Sequence, residues 1–302
     1  MKDRTSLETI CSYLPERIWK VLSSVQNTDG LTEIRLRCGR PLSLIYADSC
    51  RYLTSDSSLT FSPANSKCLT VTADDISQTV EALCRYSRHS CTKELTEGYF
   101  VIENGIRVGI AGRRTESGTG IITDISSLNF RFAREVIGCA DDIYRNCGSK
   151  GLLIAGSVNS GKTTLLRDLC RLSGNTSKTV LVDERNEISA TYCGKSSFDV
   201  GVQTDVLVGY DRAAGIVSAV RTLSPEVIFC DEIAVQADAD AILTALGSGV
   251  KFTATIHAGS FEELMSRNIA RQLIDARAFS YIIMLSGRNS EISAIRRLKD
   301  AC

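Results

Sequence analysis

The sequence lacks an excess of charge of either sign, because 35 lysines and arginines balance 35 aspartates and glutamates among its 302 residues. Proteins that bind nucleic acid usually carry a basic excess or a basic face, so we expect no nucleic-acid partner. No apolar run approaches the roughly 20 residues that span a bilayer, and no apolar signal core follows residues 1–6. We therefore expect no transmembrane segment, and a protein that is cytoplasmic or peripheral to a membrane.

The 12 cysteines lack the close C-x-x-C pairs that are typical of zinc sites. Several replace small apolar residues inside hydrophobic runs, as Cys230 does in the run 227–231. This usage predicts free thiols in a reducing compartment, without a metal or redox role.

The most informative segment present is a glycine-rich stretch that matches the P-loop pattern G-x-x-x-x-G-K-[ST] at every fixed position. The apolar run 151–155 before it predicts a buried strand, and the leucine spacing after it predicts a helix over 162–171. Backbone N–H groups of such a loop cradle phosphates. Lys162 would reach the β- and γ-phosphates of ATP, and the Thr163 hydroxyl would hold Mg²⁺. The residues expected to bind nucleotide are Gly156, Ser157, Val158, Asn159, Ser160, Gly161, Lys162, Thr163 and Thr164.

Two apolar runs further along the chain end in acids. The run 227–230 precedes Asp231 and Glu232, and we expect this strand to lie beside the P-loop strand. There Asp231 would support the Mg²⁺ shell and Glu232 would orient the attacking water. The run 179–182 precedes Asp183 and Glu184, either of which could act as the base. Helix capping and a solvated turn are the structural alternatives for the two pairs.

Three further residues carry a functional and a structural interpretation. His257 ends a third strand, where it could contact the γ-phosphate or be an ordinary core or turn histidine. Arg131 and Arg134 stand just before the P-loop half, where they could stabilise phosphate charge or form surface salt bridges.

The two halves of the chain differ in organisation. The second half alternates strands near 151–155, 179–182, 226–230, 251–256 and 280–285 with helices near 162–172, 211–221, 236–247 and 260–274, which predicts a parallel α/β sheet. A last edge strand is expected near 291–298. The first half predicts an α+β domain with an antiparallel sheet, which includes a helical pattern over 5–25, a capping box at 72–75, an Asn104-Gly105 hairpin and two strands at 121–125 and 128–132. Turn residues at 146–149 divide the chain into domains 1–147 and 148–302.

In chain order, the P-loop, the acids at 183–187, the acids at 231–232 and the segment 254–258 resemble the Walker A, Asp box, Walker B and His box of the secretion-ATPase superfamily. Within that superfamily the sequence is similar to the stage III sporulation protein AA family of endospore-forming bacteria. The segments that carry this narrower resemblance are 33–42, 97–100, 107–112, 129–140, 182–185 and 221–228.

The resemblance implies a P-loop NTPase domain with a RecA-like parallel sheet and an α+β N-terminal domain. It implies an ATP-hydrolysing motor, a homo-hexamer, at the mother-cell side of the forespore membrane, which energises the assembly or function of a sporulation channel. Membrane proteins of the same sporulation operon are the implied partners. It also favours a His-box role for His257 and phosphate-facing roles for Arg131 and Arg134. Asp183, Glu184 and Glu187 all stay open as the base, because the order of acids differs from that of the secretion motors.

Other classes of protein fit less well. A P-loop ATPase coupled to single-stranded nucleic acid is the main alternative, and the zero net charge argues against it. An ABC-type ATPase would need a Leu-Ser-Gly-Gly-Gln-like segment where this chain has Arg-Thr-Leu-Ser-Pro-Glu at 221–226. A nucleotide-locked scaffold would not need Asp231 and Glu232.

Overall fold

The computed structural model describes residues 7–25, 28–85, 91–115, 120–132, 135–148, 150–287 and 291–298. The chain forms two compact units, Met1–Arg134 and Glu135–Cys302. This division comes earlier than the boundary expected near residue 147. The helix Asp141–Cys147 belongs to the second unit because Ile143 and Cys147 are buried in that unit's core.

The N-terminal unit combines short helices with a seven-stranded sheet. Its elements are α1 (Glu16–Leu22), β1 (Leu31–Arg37), β2 (Ser43–Tyr46), β3 (Cys50–Leu53), β4 (Leu59–Thr60), α2 (Ala73–Leu83), α3 (Thr92–Glu97), β5 (Tyr99–Ile102), β6 (Ile106–Arg114) and β7 (Ile122–Arg131). The strand order is β4-β3-β2-β1-β7-β6-β5. Every neighbouring pair is antiparallel, as predicted.

The helical pattern over 5–25 is interrupted. Residues 7–10 are helical, and α1 begins only after Pro15. Proline lacks a backbone N–H and is tolerated at a helix start but not in its interior. The backbone therefore restarts at the proline, and the apolar residues of both segments, such as Ile10 and Ile18, are buried in the same core.

The Asn104-Gly105 hairpin is confirmed. Asn104 has φ 58° and Gly105 has φ 68°, the pair of positive angles that a type I′ turn requires. The two strands expected at 121–125 and 128–132 form the single strand β7, because Ser127 stays in the ladder and pairs with Arg37 and Ala111 on its two sides.

The capping box that starts α2 is also confirmed, and it links two helices. Thr72 Oγ1 accepts from the Asp75 N–H at 3.2 Å, and Asp75 Oδ2 accepts from the Thr72 N–H at 2.6 Å. Asp75 is only 2% exposed and forms a bidentate ion pair with Arg17 of α1. Burial opposes ionisation, but Arg17 and Thr72 outweigh it and lower the pKa of Asp75.

The C-terminal unit alternates strands and helices. Its elements are α4 (Asp141–Cys147), β8 (Leu152–Gly156), α5 (Lys162–Gly174), β9 (Thr179–Asp183), β10 (Thr191–Tyr192), β11 (Lys195–Ser196), β12 (Thr204–Val208), α6 (Arg212–Thr222), β13 (Val227–Cys230), α7 (Gln236–Leu246), β14 (Lys251–His257), α8 (Phe261–Ser266), α9 (Asn268–Asp275), β15 (Tyr281–Ser286) and β16 (Glu291–Arg297). The helix expected over 260–274 is two helices, since Arg267 between them has extended angles.

The main sheet of this unit has the order β12-β9-β13-β14-β8-β15-β16. All neighbours are parallel except the edge pair β15 and β16. The expectation that β13 lies beside β8 was wrong, because β14 lies between them. The edge strand β12 was not predicted at all.

None of the helices in the described ranges is long and apolar enough to cross a membrane. The described cysteines are all free thiols. Burial raises the pKa values of Cys147, Cys170 and Cys230.

Replacing the capping hydroxyl should destabilise the N-terminal unit. We expect Thr72→Ala to lower its free energy of unfolding by about 1 kcal/mol, because one N–H at the start of α2 loses its acceptor. The single tryptophan, Trp19, packs against this unit's core, so its fluorescence during urea unfolding reports on this unit alone. Thr72→Ser keeps the hydroxyl and is the matched control. Equal unfolding of both variants would contradict the role of the capping box.

Candidate active site

A glycine loop, Gly156–Gly161, joins β8 to α5, so the strand, loop and helix follow one another as the motif predicts. Gly161 has φ 93° at the helix start, which favours glycine. A Cβ on Gly156 would lie 2.4 Å from Ser160 Oγ, so a larger residue there would force Ser160 to move. The Ser160 hydroxyl is buried without a hydrogen-bond partner and faces this cradle.

Lys162, the first residue of α5, spans the glycine loop. Its Nζ donates to the carbonyls of Gly156 at 2.9 Å and Ser157 at 2.7 Å. Partial burial lowers the pKa of Lys162, and the nearby carboxylates of Glu232 and Asp231 oppose that change. The ammonium group is therefore held at the loop by neutral acceptors that a phosphate could replace.

Asp231 follows β13 and is oriented by two hydroxyl groups. Thr163 Oγ1 of α5 donates to Oδ2 at 3.4 Å, and Thr255 Oγ1 of β14 donates to Oδ1 at 2.7 Å. Thr255 Oγ1 also accepts from the Glu232 N–H at 2.7 Å. Thr255 was not among the predicted site residues. Its strand also contains the hydroxyl of Thr253, so residue type alone does not single out Thr255.

Glu232 has a positive φ of 23°, an unusual angle for a non-glycine residue. Such outliers persist only where the surroundings enforce them, and they cluster at functional sites. Here the enforcing contacts are those of its N–H with Asp231 and Thr255.

Asp183, at the end of β9, is 1% exposed. Its two oxygens accept from the N–H groups of Glu187, Ile188 and Ser189 and from the Ser189 hydroxyl. Burial raises the pKa of Asp183, and these donors oppose the rise. Because both oxygens are engaged within its own loop, Asp183 holds that loop together.

Glu184, the next residue, points to an arginine, Arg212, whose side chain is 12% exposed. Its Oε2 accepts from Arg212 Nη2 at 2.8 Å, and Arg212 Nη1 donates to Asp238 at 2.9 Å. Asp238 also accepts from the N–H groups of Ala234 and Val235, which follow Glu232. Arg212 therefore links the two acid-bearing loops. Neither Arg212 nor Asp238 was predicted, since single charged residues at helix starts carry no sequence signal.

A cleft of about 400 Å³ opens where these loops meet. The predicted residues that line it are Thr163, Asp183, Glu184, Glu187, Asp231 and Glu232. The parallel sheet thus brings together acids that are about 50 residues apart in the chain.

His257 ends β14 opposite Gly156, the first residue of the glycine loop. Its Nδ1 lies 3.8 Å from Glu263 Oε1 and 3.5 Å from Arg267 Nη2. The imidazole therefore sits beside the loop in a polar, partly exposed setting rather than in the core.

The two predicted arginines precede this unit. Arg131 lies on β7 of the N-terminal unit, where it is exposed and its Nε is 3.6 Å from Glu33 Oε1. Arg134 lies outside the described residues.

The residues present fit Mg²⁺ and a nucleoside triphosphate. Thr163 and Asp231 supply hard oxygen ligands, and Mg²⁺ is usually held by one or two carboxylates together with substrate phosphates. Among the described ranges no cluster of three or more His, Cys, Asp or Glu could hold a metal by itself. A metal at Asp231 would therefore need phosphate oxygens to complete its shell.

A family model described as sporulation stage III, protein AA matches residues 4–300. The chain belongs to this family. It is 35% identical to stage III sporulation protein AA of Bacillus subtilis (strain 168) over 294 residues, which cover 93% of this chain and 91% of the relative.

Outside the sporulation family, the fold is similar to that of two solved ATPases. The ATPase DotB of Legionella pneumophila aligns with a TM-score of 0.59 at 15% identity, over 90% of this chain and 78% of DotB. The pilus retraction motor PilT, solved with bound ADP, also aligns with a TM-score of 0.59, at 17% identity, over 89% of this chain and 76% of PilT. At these identities the likeness is one of fold.

The contacts of Asp183 predict a measurable loosening in an amide variant. Asp183→Asn turns one acceptor oxygen into an NH₂ donor that faces other donors, so the segment 187–189 should open more easily. We expect the free energy of local opening to fall by about 1–3 kcal/mol, measured by hydrogen exchange of peptides that cover this segment. Glu184→Gln is the control, because Glu184 accepts from Arg212 and not from these amides. Unchanged exchange in Asp183→Asn would contradict the assignment.

Proposed function

We propose that this protein is an ATP-hydrolysing motor of the secretion-ATPase type. The observation that carries the proposal is the cleft at one sheet edge. It is lined by Thr163 of the P-loop motif, by Asp231, and by the acids Glu184, Glu187 and Glu232. Membership of the sporulation family and the fold likeness to DotB and PilT support the same reading.

The glycine loop would bind the phosphates of ATP through its backbone N–H groups and the start of α5. Lys162 would exchange the carbonyls of Gly156 and Ser157 for phosphate oxygens. Thr163 and Asp231 would hold Mg²⁺, with Thr255 keeping the Asp231 carboxylate in orientation. A bound Mg²⁺ would neutralise negative charge on the phosphoryl oxygens.

Glu232 is the residue we propose as the group that orients and deprotonates the attacking water. It lies in the cleft, and its N–H contacts fix its backbone beside the metal ligand Asp231. Asp183 is the poorest candidate base, since its oxygens accept from its own loop. Glu184 and Glu187 line the same cleft and would support the water site from the loop after β9.

His257, Arg131 and Arg134 complete the proposed machinery. The position of His257 beside Gly156 suits contact with the γ-phosphate. Arg131 and Arg134 would supply positive charge to the transferred phosphoryl group in the assembled protein.

We further propose that the active form is a homo-hexamer, with ATP held between neighbouring copies. It would act at the mother-cell side of the forespore membrane with membrane proteins of the same sporulation operon. Nucleotide-driven movement would then energise the assembly or function of a channel.

The ATPase rate per subunit, measured against protein concentration with mass from light scattering, tests the proposal. We expect this rate to rise as oligomers form. Lys162→Ala should abolish hydrolysis by removing the phosphate contact, and Glu232→Gln should lower kcat about a hundredfold or more, because the water loses its base.

Matched controls separate these effects from general damage. Lys178→Ala and Glu226→Gln make the same changes at exposed positions of the same unit, and both should hydrolyse ATP like wild type. A rate that does not depend on concentration, in a protein that stays monomeric, would overturn the intersubunit site. Full ATPase activity in Lys162→Ala would overturn the assignment of the glycine loop and the cleft as the ATP site.

A further inference from the structure

Arg167 is a buried arginine on α5, four residues after Thr163 and therefore about one turn further along the same helix. It is 7% exposed. Its Nε donates to the carbonyl of Ile188 at 2.8 Å and its Nη2 to that of Glu187 at 2.7 Å, while its guanidinium lies 4.5 Å from the ring centre of Phe198. The planar guanidinium group, with its fork of N–H donors, thus binds two consecutive backbone carbonyls.

The opposite side of the same segment is held by Asp183, which accepts from the N–H groups of Glu187, Ile188 and Ser189. The acid loop, residues 184–189, is therefore clamped between a positive charge on α5 and a negative charge on β9. Glu184 and Glu187 of this loop line the cleft.

Packing alone does not explain an arginine at this place. The neighbouring helix positions Leu165, Leu166 and Leu169 fill the core with apolar side chains. Burying a charge is costly unless it is paired and hydrogen-bonded. Here the hydrogen-bond acceptors are two carbonyls of the loop that carries the acids, and the carboxylates of Asp183, Glu135 and Asp231 supply the opposite charge. The position of Arg167 is therefore determined by that loop as well as by the helix.

We propose that Arg167 is a positioning residue that couples occupancy of the glycine loop to the placement of Glu184 and Glu187. The proposal rests on the proposed function of the cleft. Because α5 begins at the glycine loop, a displacement of its first turn on phosphate binding moves Arg167. The two hydrogen bonds from the guanidinium group then move the acid loop together with Arg167, whereas a single flexible contact would not.

A merely structural role for Arg167 predicts a different result from a coupling role, and Arg171 provides the comparison. Arg171 lies one turn further along α5 and is also largely buried, but it pairs with Asp168 and Asp141 and not with the acid loop. Arg167→Lys and Arg171→Lys keep the charge and remove the planar fork at the two places.

Hydrogen exchange of the full-length protein, with and without Mg²⁺ and a non-hydrolysable ATP analogue, tests the coupling. In wild type and Arg171→Lys we expect the analogue to slow exchange in both the glycine loop and the acid loop. In Arg167→Lys we expect slower exchange in the glycine loop only. A nucleotide-dependent change in the acid loop of Arg167→Lys equal to that of wild type would overturn the proposal.

Steady-state kinetics provide the second readout. Arg167→Lys should lower kcat about tenfold to a hundredfold through misplacement of the acids, with KM within about twofold of wild type, whereas Arg171→Lys should match wild type. A wild-type kcat in Arg167→Lys would overturn the coupling while leaving the proposed ATPase intact. If wild type itself neither binds the analogue nor hydrolyses ATP, the proposed function fails and the inference fails with it.

Discussion

Parallel pairing of β9, β13, β14 and β8 is the constraint on which the candidate site depends. The carboxyl ends of these neighbouring strands meet at one edge of the sheet, so Asp183, Asp231, His257 and the glycine loop emerge side by side. The hydrogen bond between Thr255 and Asp231 shows how directly the pairing acts, because it joins the end of β13 to the neighbouring strand β14.

Buried charges give this edge its detailed geometry. Asp183 and Arg167 hold the acid loop from its two sides, and Arg212 with Asp238 ties Glu184 to the loop that follows Glu232. Each of these groups would be costly to bury alone, and each contacts backbone groups or an opposite charge. These contacts fix the positions of the charged groups but add little to the free energy of unfolding, since desolvation offsets most of the attraction within a buried pair.

Local chemistry explains which sequence-based predictions were correct. The Thr72–Asp75 capping box and the Asn104-Gly105 turn involve residues within four positions of one another, so their geometry follows from the residues themselves. The placement of β13 beside β8 was predicted wrongly, because an apolar run does not indicate which strand it pairs with. The placement of α4 in the second unit likewise depended on where Ile143 packs, which no local pattern records.

The sequence by itself determined the glycine loop, the acids that end β9 and β13, and the family to which the chain belongs. These features depend on residue type and short spacing, which the chain carries without folding. Only the tertiary structure decided that Asp183 holds its own loop, that Glu232 faces the cleft, and that Thr255, Arg167 and Arg212 support the acids. The contacts of Asp183 lie within six positions in the chain. Those of Thr255, Arg167 and Arg212 join residues 20 or more positions apart, and they exist only once the sheet has brought its strand ends together.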